Sequence, residues 1–385
     1  MKKIYFMAVS AVLLAAGCQK TEIQNEALTP IGFNIHMGKL TKAPDAGNDG
    51  RYQNLNEQGF MAWGYFNAEN DLNYKPGDLY LGADDGVLGI KVNPARDGEK
   101  ILVGETGAAE SWTTEDTYYW PGKGKSLDIY CVSLYDGGDN PTNTYSKVTP
   151  NYADKSLTVK DFVVDPGADN DLMVAPLITQ DQDAKKFVEP QFTHALTKVL
   201  VNFKTNSTNN DIYVISAKTS SLPNKGTLKV TNSELGQGET FVKDRLKWDL
   251  SPAEDDKYQY EDQFTGKTLV TDAITDLSSE YNGNLNAVKL TYAQDGEGNT
   301  TFNTIQFASW LLLPQESLTA TLDVEYIVDK MYIKQTFNLF TETVKSWPKN
   351  TQTTYNVTIS PDYIEFAPVV EDWVEDNKDN VDFGE

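Results

Sequence analysis

Apolar and polar residues alternate along most of this chain, which is the pattern of β-strands with one buried face. The clearest early case is the segment 31–38, where small or polar residues separate the apolar ones. One face of this segment carries only apolar side chains, namely Ile31, Phe33, Ile35 and Met37. The sequence therefore predicts a first strand that packs one face into a core.

The same period of two returns in later segments, and turn residues separate them. It is plain in "KVLVNFK" (198–204), "TLDVEYIVD" (321–329) and "TTYNVTIS" (353–360). Clusters of Gly, Asn, Asp and Pro lie between such segments and favour turns. The best helical pattern is "DAITDLSSEY" (272–281). Many short strands with few short helices predict an all-β chain of the β-sandwich type.

The pattern divides the chain into successive units. The acidic, weakly patterned stretch 179–186 is the best boundary, because a fresh run of strands begins after it. We therefore expect an N-terminal sandwich over 52–184 that also takes in strand 31–38. A C-terminal sandwich is expected over 185–385, ending in a tail at 363–385.

The first residues have the features of a secretory signal. Lys2 and Lys3 precede an apolar run over 4–16, and small residues follow it up to Cys18. The stretch "LLAAGC" looks like a bacterial lipobox, although Ala15 stands where Leu is commonest. We expect residues 1–17 to be the signal and Cys18 to be the lipidated N-terminus, with plain secretion as the alternative. Since no other run approaches the roughly 18 apolar residues of a membrane span, the chain is expected to be anchored and not inserted.

Composition supports a folded, acidic protein. The 385 residues are 39% hydrophobic and 11% aromatic, which argues against disorder. The formal net charge of −23 repels phosphate backbones, so nucleic acid is not expected as a partner. Only Cys18 and Cys131 are present, and Cys131 is in phase with apolar neighbours. We expect no disulfide, and Cys131 as a small buried hydrophobe.

Motifs for catalysis are scarce. The sequence has no Walker loop, no Gly-x-Ser-x-Gly elbow and no HExxH. The two histidines make a histidine metal cage or a Ser-His relay a poor hypothesis. His36 falls on the polar face of the first strand, and His194 is expected to be a hydrogen-bonded structural residue. We expect no catalytic residues, no cofactor and no enzymatic activity.

Acidic loops and tryptophans offer weaker candidates for binding. The clusters at 44–50 and 165–171 contain oxygen ligands that calcium prefers, but turn formation explains both without a metal. Paired carboxylates for glycoside hydrolysis stay open, and nothing singles out one pair. The tryptophans could stack on sugars, but in so β-rich a chain they are more typical of core or rim. They are Trp63, Trp112, Trp120, Trp248, Trp310, Trp347 and Trp373.

Several stretches, taken in order, resemble one family. They are "YYWPGKGKSLDIYCVSLY" (118–135), "DLMVAP" (171–176), "FTHALTKVLVNF" (192–203), "LLLPQ" (311–315) and "WPKNTQTTYNVTIS…IEFAPVVEDWVED" (347–376). With the lipobox and the early strand, the chain resembles the fimbrillin, or Mfa-like, pilus subunits of Gram-negative gut and oral anaerobes. The resemblance implies two transthyretin-like β-sandwich domains in tandem, export as an outer-membrane lipoprotein, and assembly into extracellular fimbriae by strand exchange.

The resemblance also implies a trigger. A trypsin-like, typically arginine-specific protease removes the lipid anchor together with the first strand. Lys42 stands where the family often carries Arg, and Arg51 is the only Arg before Arg96. Strict arginine specificity favours Arg51, and a broader specificity favours Lys42. The alternative is that both are ordinary exposed residues and the chain is never cut.

The groove left by the first strand is expected to accept the C-terminal tail of a neighbouring subunit. Burial of apolar side chains and new backbone pairing would both favour such β-augmentation. Among the candidate donor residues of the tail, Ile364, Phe366 and Val370 share a phase, Trp373 lies on the opposite face, and Val381 and Phe383 repeat the alternation. The leading function is a shaft subunit that contributes to cell adhesion. The alternatives are a tip adhesin, a non-polymerising lipoprotein that binds host or bacterial surface glycans, and, remotely, an enzyme.

Overall fold

The computed structural model of this chain is built almost entirely from β-strands. It describes residues 29–35, 59–67, 74–82, 89–96, 99–100, 111–133, 148–164, 171–183, 187–261, 268–270, 285–316 and 319–373. The helical elements within these ranges are a π-helical turn at Phe241–Arg245 and a 3₁₀ turn at Glu254–Asp256. The all-β prediction is confirmed.

The strands are numbered in chain order. Those before residue 195 are β1 (Gly32–Phe33), β2 (Phe60–Phe66), β3 (Leu79–Leu81), β4 (Ile90–Arg96), β5 (Glu99–Lys100), β6 (Ser111–Thr114), β7 (Leu127–Ser133), β8 (Val148–Asn151), β9 (Ser156–Val163), β10 (Met173–Val174), β11 (Ile178–Gln180), β12 (Phe187–Val188) and β13 (Thr193–His194).

The later strands are β14 (Thr197–Thr205), β15 (Ile212–Thr219), β16 (Leu222–Pro223), β17 (Lys225–Thr231), β18 (Leu246–Leu250), β19 (Lys257–Tyr258), β20 (Thr268–Val270), β21 (Leu285–Lys289), β22 (Tyr292–Gln294), β23 (Thr300–Phe302), β24 (Ile305–Leu312), β25 (Gln315–Glu316), β26 (Thr321–Val328), β27 (Met331–Asn338), β28 (Ser346–Trp347), β29 (Thr351–Ile359) and β30 (Ile364–Asp372).

Two sheets form the first sandwich. Sheet I has the order β12-β1-β6-β4-β2-β7-β10-β13, with β3, β5 and β11 attached beside β2, β4 and β7. Sheet II has the order β18-β17-β9-β8. Apolar side chains of both sheets meet in one cluster, to which Trp63 and Tyr130 contribute from sheet I and Leu157 and Leu228 from sheet II. Burial of this shared cluster holds the two sheets together.

Sheet I also encloses a core of its own. Every residue of β7 is buried, so both faces of this strand are covered. The face turned away from sheet II contributes Ile129 and Cys131 to a second cluster, which also contains Phe33 of β1 and Val188 of β12. We call this second cluster, which contains Phe33 of the first strand, the slot cluster. Strands from the end of sheet I thus pack over its middle, and the first strand lies directly on that core.

Two further sheets form the second sandwich. Sheet III has the order β24-β14-β29-β30, and sheet IV has the order β20-β21-β15-β26-β27. β14 and β29 run parallel to each other in the middle of sheet III. Their inward side chains, such as Phe203 and Tyr355, pack against Val214 and Val324 of sheet IV. Sheet III therefore gains its core from strands that are far apart in sequence.

The sheets do not divide where the sequence suggested. The expected boundary places everything after residue 184 in the C-terminal sandwich, but β17 pairs antiparallel with β9. β18 then pairs with β17, so both strands belong to sheet II of the first sandwich. The reason is packing, since Leu228 and Leu246 fill the same cluster as Leu157. A break in local patterning does not reveal such a return of the chain.

Some expectations fall on residues outside the described ranges. They are the helix at 272–281, the acidic cluster at 44–50, most of the cluster at 165–171, and the residues Cys18, His36, Met37, Lys42, Arg51, Val381 and Phe383. Within the described ranges, no helix is long and apolar enough to cross a membrane.

The tryptophans belong mainly to the cores, as expected. Five of the seven are buried, namely Trp63, Trp120, Trp310, Trp347 and Trp373. Trp112 and Trp248 are partly buried and pack against the slot cluster and the core of the first sandwich. They act as core and rim residues.

Cys131 is a buried, free thiol, as its phase predicted. Burial raises the pKa of this thiol well above its usual range, because the apolar surroundings disfavour the thiolate. We expect a thiol reagent at pH 8 to leave Cys131 unmodified in the native protein and to label it fully in denaturant, as measured by mass spectrometry. Rapid labelling of the native protein would contradict this burial.

Candidate functional site

The first strand lies between two other strands of sheet I. β1 runs parallel to β12, where Phe33 is opposite Val188. On its other side β1 runs antiparallel to β6, where Phe33 is opposite Trp112. β12 has only two residues and forms the end of the sheet. We call the space that β1 fills between β6 and β12 the first-strand slot; one short strand separates it from the edge of the sheet.

Backbone hydrogen bonds hold the first strand at both of its ends. The amide of Ile31 donates to the carbonyl of Tyr118 at 2.8 Å, in the connection between β6 and β7. The amide of Asn34 donates to the carbonyl of Val188 at 2.9 Å. Removal of the first strand would therefore leave acceptors unpaired on both walls of the slot.

The side chains of the first strand alternate as predicted. Ile31 and Phe33 are buried, and Asn34 is exposed. Phe33 meets Phe60 edge to face, with ring centroids 5.6 Å apart, and Ile35 packs against the same cluster. Burial of a large apolar side chain stabilises a fold by roughly 1.5–3 kcal/mol, as an upper estimate. A few side chains thus supply most of the attachment of this short segment.

Gly32 is covered by an aromatic ring. A Cβ atom added to Gly32 would lie 2.5 Å from Cδ1 of Phe187, too close for any side chain unless the ring moves. Phe187 is 38% exposed, so its ring has solvent into which it can turn. Any other strand that enters the slot with a side chain at this position must displace Phe187.

The first half of the predicted tail is a strand of the chain's own second sandwich. β30 pairs antiparallel with β29 from Ile364 to Asp372. Ile364 and Phe366 face the core of that sandwich, whereas Val370 is 43% exposed. Sequence reasoning placed these three residues on one face, and the burial of that face declines along the strand.

Phe366 is the residue that fixes β30 to both sheets. Its ring stacks on Tyr355 of the neighbouring β29, with centroids 5.1 Å apart. It also stacks on Phe337 of β27 in sheet IV, at 5.0 Å with an interplanar angle of 10°. β30 and β27 are the end strands of their sheets, so this stack closes one side of the second sandwich.

The end of β30 docks on the first sandwich. Trp373 is buried and belongs to the core of the first sandwich. Its ring lies flat on the imidazole of His194, with centroids 3.7 Å apart and an angle of 6°. The Trp373 amide donates to the carbonyl of Asn350 at 3.0 Å, and the Asn350 amide donates to the carbonyl of Leu196 at 2.8 Å. We call Trp373, His194 and Asn350 the tail anchor.

The surroundings of His194 confirm the structural role expected from the sequence. Its Nδ1 is hydrogen-bonded to Oδ2 of Asp171, and the ring is buried. Its amide donates to Oδ1 of Asn350 at 3.3 Å. Sequence reasoning considered Asp171 only within an acidic cluster and did not single out Asn350. Asn350 has a φ of 56°, and an Asn after "WPK" is the one local signal for such a left-handed turn.

The stretch 192–194, which contains β13, connects the slot cluster to the tail anchor. Phe192 lies 5.2 Å from Phe60 in the slot cluster, measured between ring centroids. Two residues later, the imidazole of His194 stacks on the ring of Trp373. The two candidate sites therefore meet along one short stretch of backbone. Among the residues that the structure describes, no group of three or more His, Cys, Asp or Glu side chains could hold a metal.

Comparisons with known proteins agree with this architecture. A family model described as fimbrillin-like matches residues 96–373. A solved fimbrial protein from Bacteroides vulgatus ATCC 8482 has a TM-score of 0.52 at 18% identity and covers 90% of this chain and 99% of its own. Putative cell adhesion proteins from Bacteroides ovatus ATCC 8483 and Bacteroides uniformis ATCC 8492 are both 16% identical. Their TM-scores are 0.45 and 0.42, with 91% and 90% of this chain and 100% and 98% of theirs covered. The comparison with curated proteins gives no match.

Proposed function

This chain belongs to the fimbrillin-like family, and from this membership and the geometry of the slot we propose that it is a structural subunit of surface fimbriae, contributing to cell adhesion. The subunits assemble by strand exchange. The precursor is held in the outer membrane through lipid on Cys18, and a protease then releases the first strand. The single observation that carries the proposal is the first strand itself, short, buried and next to the end of its sheet.

The proposed trigger lies in the connection between β1 and β2. Lys42 and Arg51 are both in this connection, so cleavage after either one separates the first strand from the rest of the chain. The severed segment then stays only through noncovalent contacts, chiefly those of Ile31 and Phe33. The loss of a covalent link raises the entropy gained on its release.

The proposed partner is a second copy of this chain or a related subunit. A donor strand takes the direction of β1, parallel to β12 and antiparallel to β6, because this direction restores the same hydrogen bonds. Such a contact joins the slot of one subunit to the tail of the next. It is head-to-tail and does not close on itself, which yields a fibre.

A limited digestion tests the proposal. We expect trypsin treatment of the purified chain from residue 19 onwards to cut after Lys42 or Arg51, and the cut protein to form ladders on a gel run without boiling. Mass spectrometry identifies the cut. The Lys39→Gln/Lys42→Gln/Arg51→Gln variant, which also removes the other basic residue between the first strand and β2, should remain uncut there and monomeric under the same treatment.

One result would overturn strand exchange. Strand exchange would be wrong if the fully cut protein loses residues 29–35, retains its circular dichroism spectrum, and still stays monomeric at high concentration. Such a protein would have an open slot that no tail enters.

A further inference from the structure

The second sandwich has one end that points away from the tail anchor. β14 begins next to Leu196, whose carbonyl accepts a hydrogen bond from Asn350 of the tail anchor, and it ends at Thr205. β29 runs parallel to β14 and ends beside it at Ile359. The loops that follow these two strands therefore lie at the end of the second sandwich that is farthest from the first sandwich.

Two more connections reach the same end. The amide of Asp329, in the turn between β26 and β27, donates to the carbonyl of Asp211 at 2.7 Å. The amide of Leu290, just before the hairpin of β22 and β23, donates to the carbonyl of Ile212 at 2.9 Å. Loops that a rigid sandwich gathers at one end commonly form its binding surface. We call this end, formed by the loops 206–211, 290–304, 329–330 and 360–363, the distal face.

Two exposed tyrosine rings are held on the distal face by one loop. Tyr363 is 56% exposed and Tyr292 is 41% exposed. Nδ2 of Asn206 donates to the hydroxyl of Tyr363 at 2.8 Å, and the hydroxyl of Tyr292 donates to the carbonyl of Thr208 at 3.2 Å. Each ring is thus fixed at its polar tip, while a large part of its surface is open to water. Rings that are already oriented lose little conformational freedom when a ligand stacks on them.

Hydrogen bonds within the distal face hold the loop 206–211 itself. The hydroxyl of Ser207 donates to Oδ1 of Asn210 at 2.7 Å, and Nδ2 of Asn210 donates to Oδ2 of Asp329 at 2.9 Å. Thr208 and Asn209, at the tip of the loop, are exposed. Their hydroxyl and amide groups offer both donors and acceptors next to the tyrosines.

The charges of the distal face favour an uncharged ligand. Nζ of Lys289 lies 2.5 Å from Oδ1 of Asp211, so these two charges neutralise each other. The carboxylate of Asp329 is bound by Asn210. The formal net charge of −23 repels sialylated or sulfated sugars. Exposed aromatic rings beside amide and hydroxyl groups match the C–H faces and the hydroxyls of a neutral sugar.

We propose that the distal face binds a neutral oligosaccharide. Tyr292 and Tyr363 stack on its sugar rings, and the tip of the loop 206–211 contacts its hydroxyls. This inference rests on the adhesive part of the proposed function and is independent of strand exchange, because the distal face is complete in the uncut chain. In a fibre, every subunit would present one such face, and many weak contacts would together give firm adhesion.

Binding by the uncut chain from residue 19 onwards tests the proposal. We expect this monomer to bind short neutral oligosaccharides on an array that also carries sialylated and sulfated ones. In isothermal titration calorimetry, Tyr363→Ala and Tyr292→Ala should each weaken the binding of the best neutral oligosaccharide by about tenfold. Tyr258→Ala is the matched control, because Tyr258 of β19 is also 41% exposed but lies outside the distal face. Tyr258→Ala should bind like the unchanged protein.

The orientation of the Tyr363 ring has a test of its own. Asn206→Ala and Tyr363→Phe remove the same hydrogen bond and keep the ring, so each should weaken sugar binding by about threefold. The double variant should bind no more weakly than either single variant, because only one bond is lost. Losses that multiply in the double variant would overturn this positioning role of Asn206. Melting temperatures should stay unchanged, since both side chains are exposed.

The outcomes separate this inference from strand exchange. The distal face is not a sugar site if the uncut chain binds no neutral oligosaccharide, if it binds the sialylated or sulfated forms more tightly, or if Tyr363→Ala binds as tightly as the unchanged protein. Dimers in analytical ultracentrifugation that depend on Tyr363, without sugar binding, would also overturn the inference and make the face a contact with a second copy. Strand exchange is measured by the ladders of the cut protein. If the ladders fail while the uncut chain binds sugar, strand exchange is wrong and the sugar site stands.

Discussion

Phe33→Ala should lower the free energy of unfolding of the uncut chain by about 3–5 kcal/mol, as large-to-small changes of buried aromatic residues do. Phe33 is 4% exposed and its ring packs edge to face on Phe60. Alanine would leave a cavity in the slot cluster, where Trp112 and Phe192 also meet Phe60. Urea denaturation, followed by tryptophan fluorescence, measures the change as a shift of the midpoint.

Phe33→Ala should change neither stability nor polymerisation once the chain is cut and the first strand is lost. Phe33 then belongs to the released segment, so the cut variant and the cut unchanged protein should have equal stability and polymerise equally. Asn34→Ala is the matched control, because Asn34 is exposed on the same strand. Asn34→Ala should change the free energy of unfolding of the uncut chain by less than about 0.5 kcal/mol. Equal stability of uncut Phe33→Ala and unchanged protein would show that the slot is not filled by this residue.

Local alternation was sufficient to predict the strands. The segments that contain Val199, Val324 and Val357 alternate over most of their length, and each is a strand with an inward face in the second sandwich. The first strand was predicted for the same reason, since Ile31 and Phe33 are separated by a glycine without an apolar side chain. Side-chain period is a local property, so one sequence displays it.

Pairing between distant strands could not be predicted in this way. β17 and β18 join β9 across the expected boundary, because their apolar faces complete the core of the first sandwich. Nothing in the local pattern of Leu228 or Leu246 specifies the sheet to which each belongs. Alternation likewise marked β30 as a strand with an apolar face but did not reveal that its partner is β29 of the same chain. Partner choice depends on complementary surfaces that exist only after folding.

The tail anchor shows the same limit at the level of single residues. His194 was expected to be hydrogen-bonded and structural, and it is. Its stacking partner Trp373 is 179 positions later in the sequence and was assigned to the donor tail, on the face opposite to Ile364 and Phe366. A residue's phase gives the face on which it lies, whereas its partner on that face comes from the topology.

An ion pair between a buried carboxylate and a half-buried lysine ties the two sheets of the first sandwich together. Asp128 on β7 of sheet I is buried, and its carboxylate is paired with the ammonium group of Lys155. Lys155 lies in the turn between β8 and β9 of sheet II, and its Nζ is 3.6 Å from the centre of the Tyr152 ring. The hydroxyl of Thr179 also donates to Asp128, at 2.5 Å. The carboxylate thus takes bonds from both layers of the sandwich.

Lys155→Met should lower the free energy of unfolding by about 1–3 kcal/mol, because it leaves the buried Asp128 carboxylate without its cation, although the 36% exposure of the Lys155 side chain lets water screen part of this loss. Both side chains carry a Cβ atom, so the left-handed backbone at this position, with a φ of 51°, is equally unfavourable for each. The measurement is urea denaturation at pH 7, compared at constant m-value.

A second substitution separates the charge from the packing. Asp128→Leu/Lys155→Met removes both charges together, and it should regain at least half of the stability lost in Lys155→Met, since replacement of a buried pair by apolar groups is often neutral. Lys334→Met, which breaks an exposed pair with Glu325 at 3.3 Å, is the surface control and should change stability by about 0.5 kcal/mol or less. If Lys155→Met is as mild as Lys334→Met, the pair does not tie the sheets. If the double variant is as unstable as Lys155→Met, the loss comes from the lysine stem packed on Tyr152 and not from the uncompensated carboxylate.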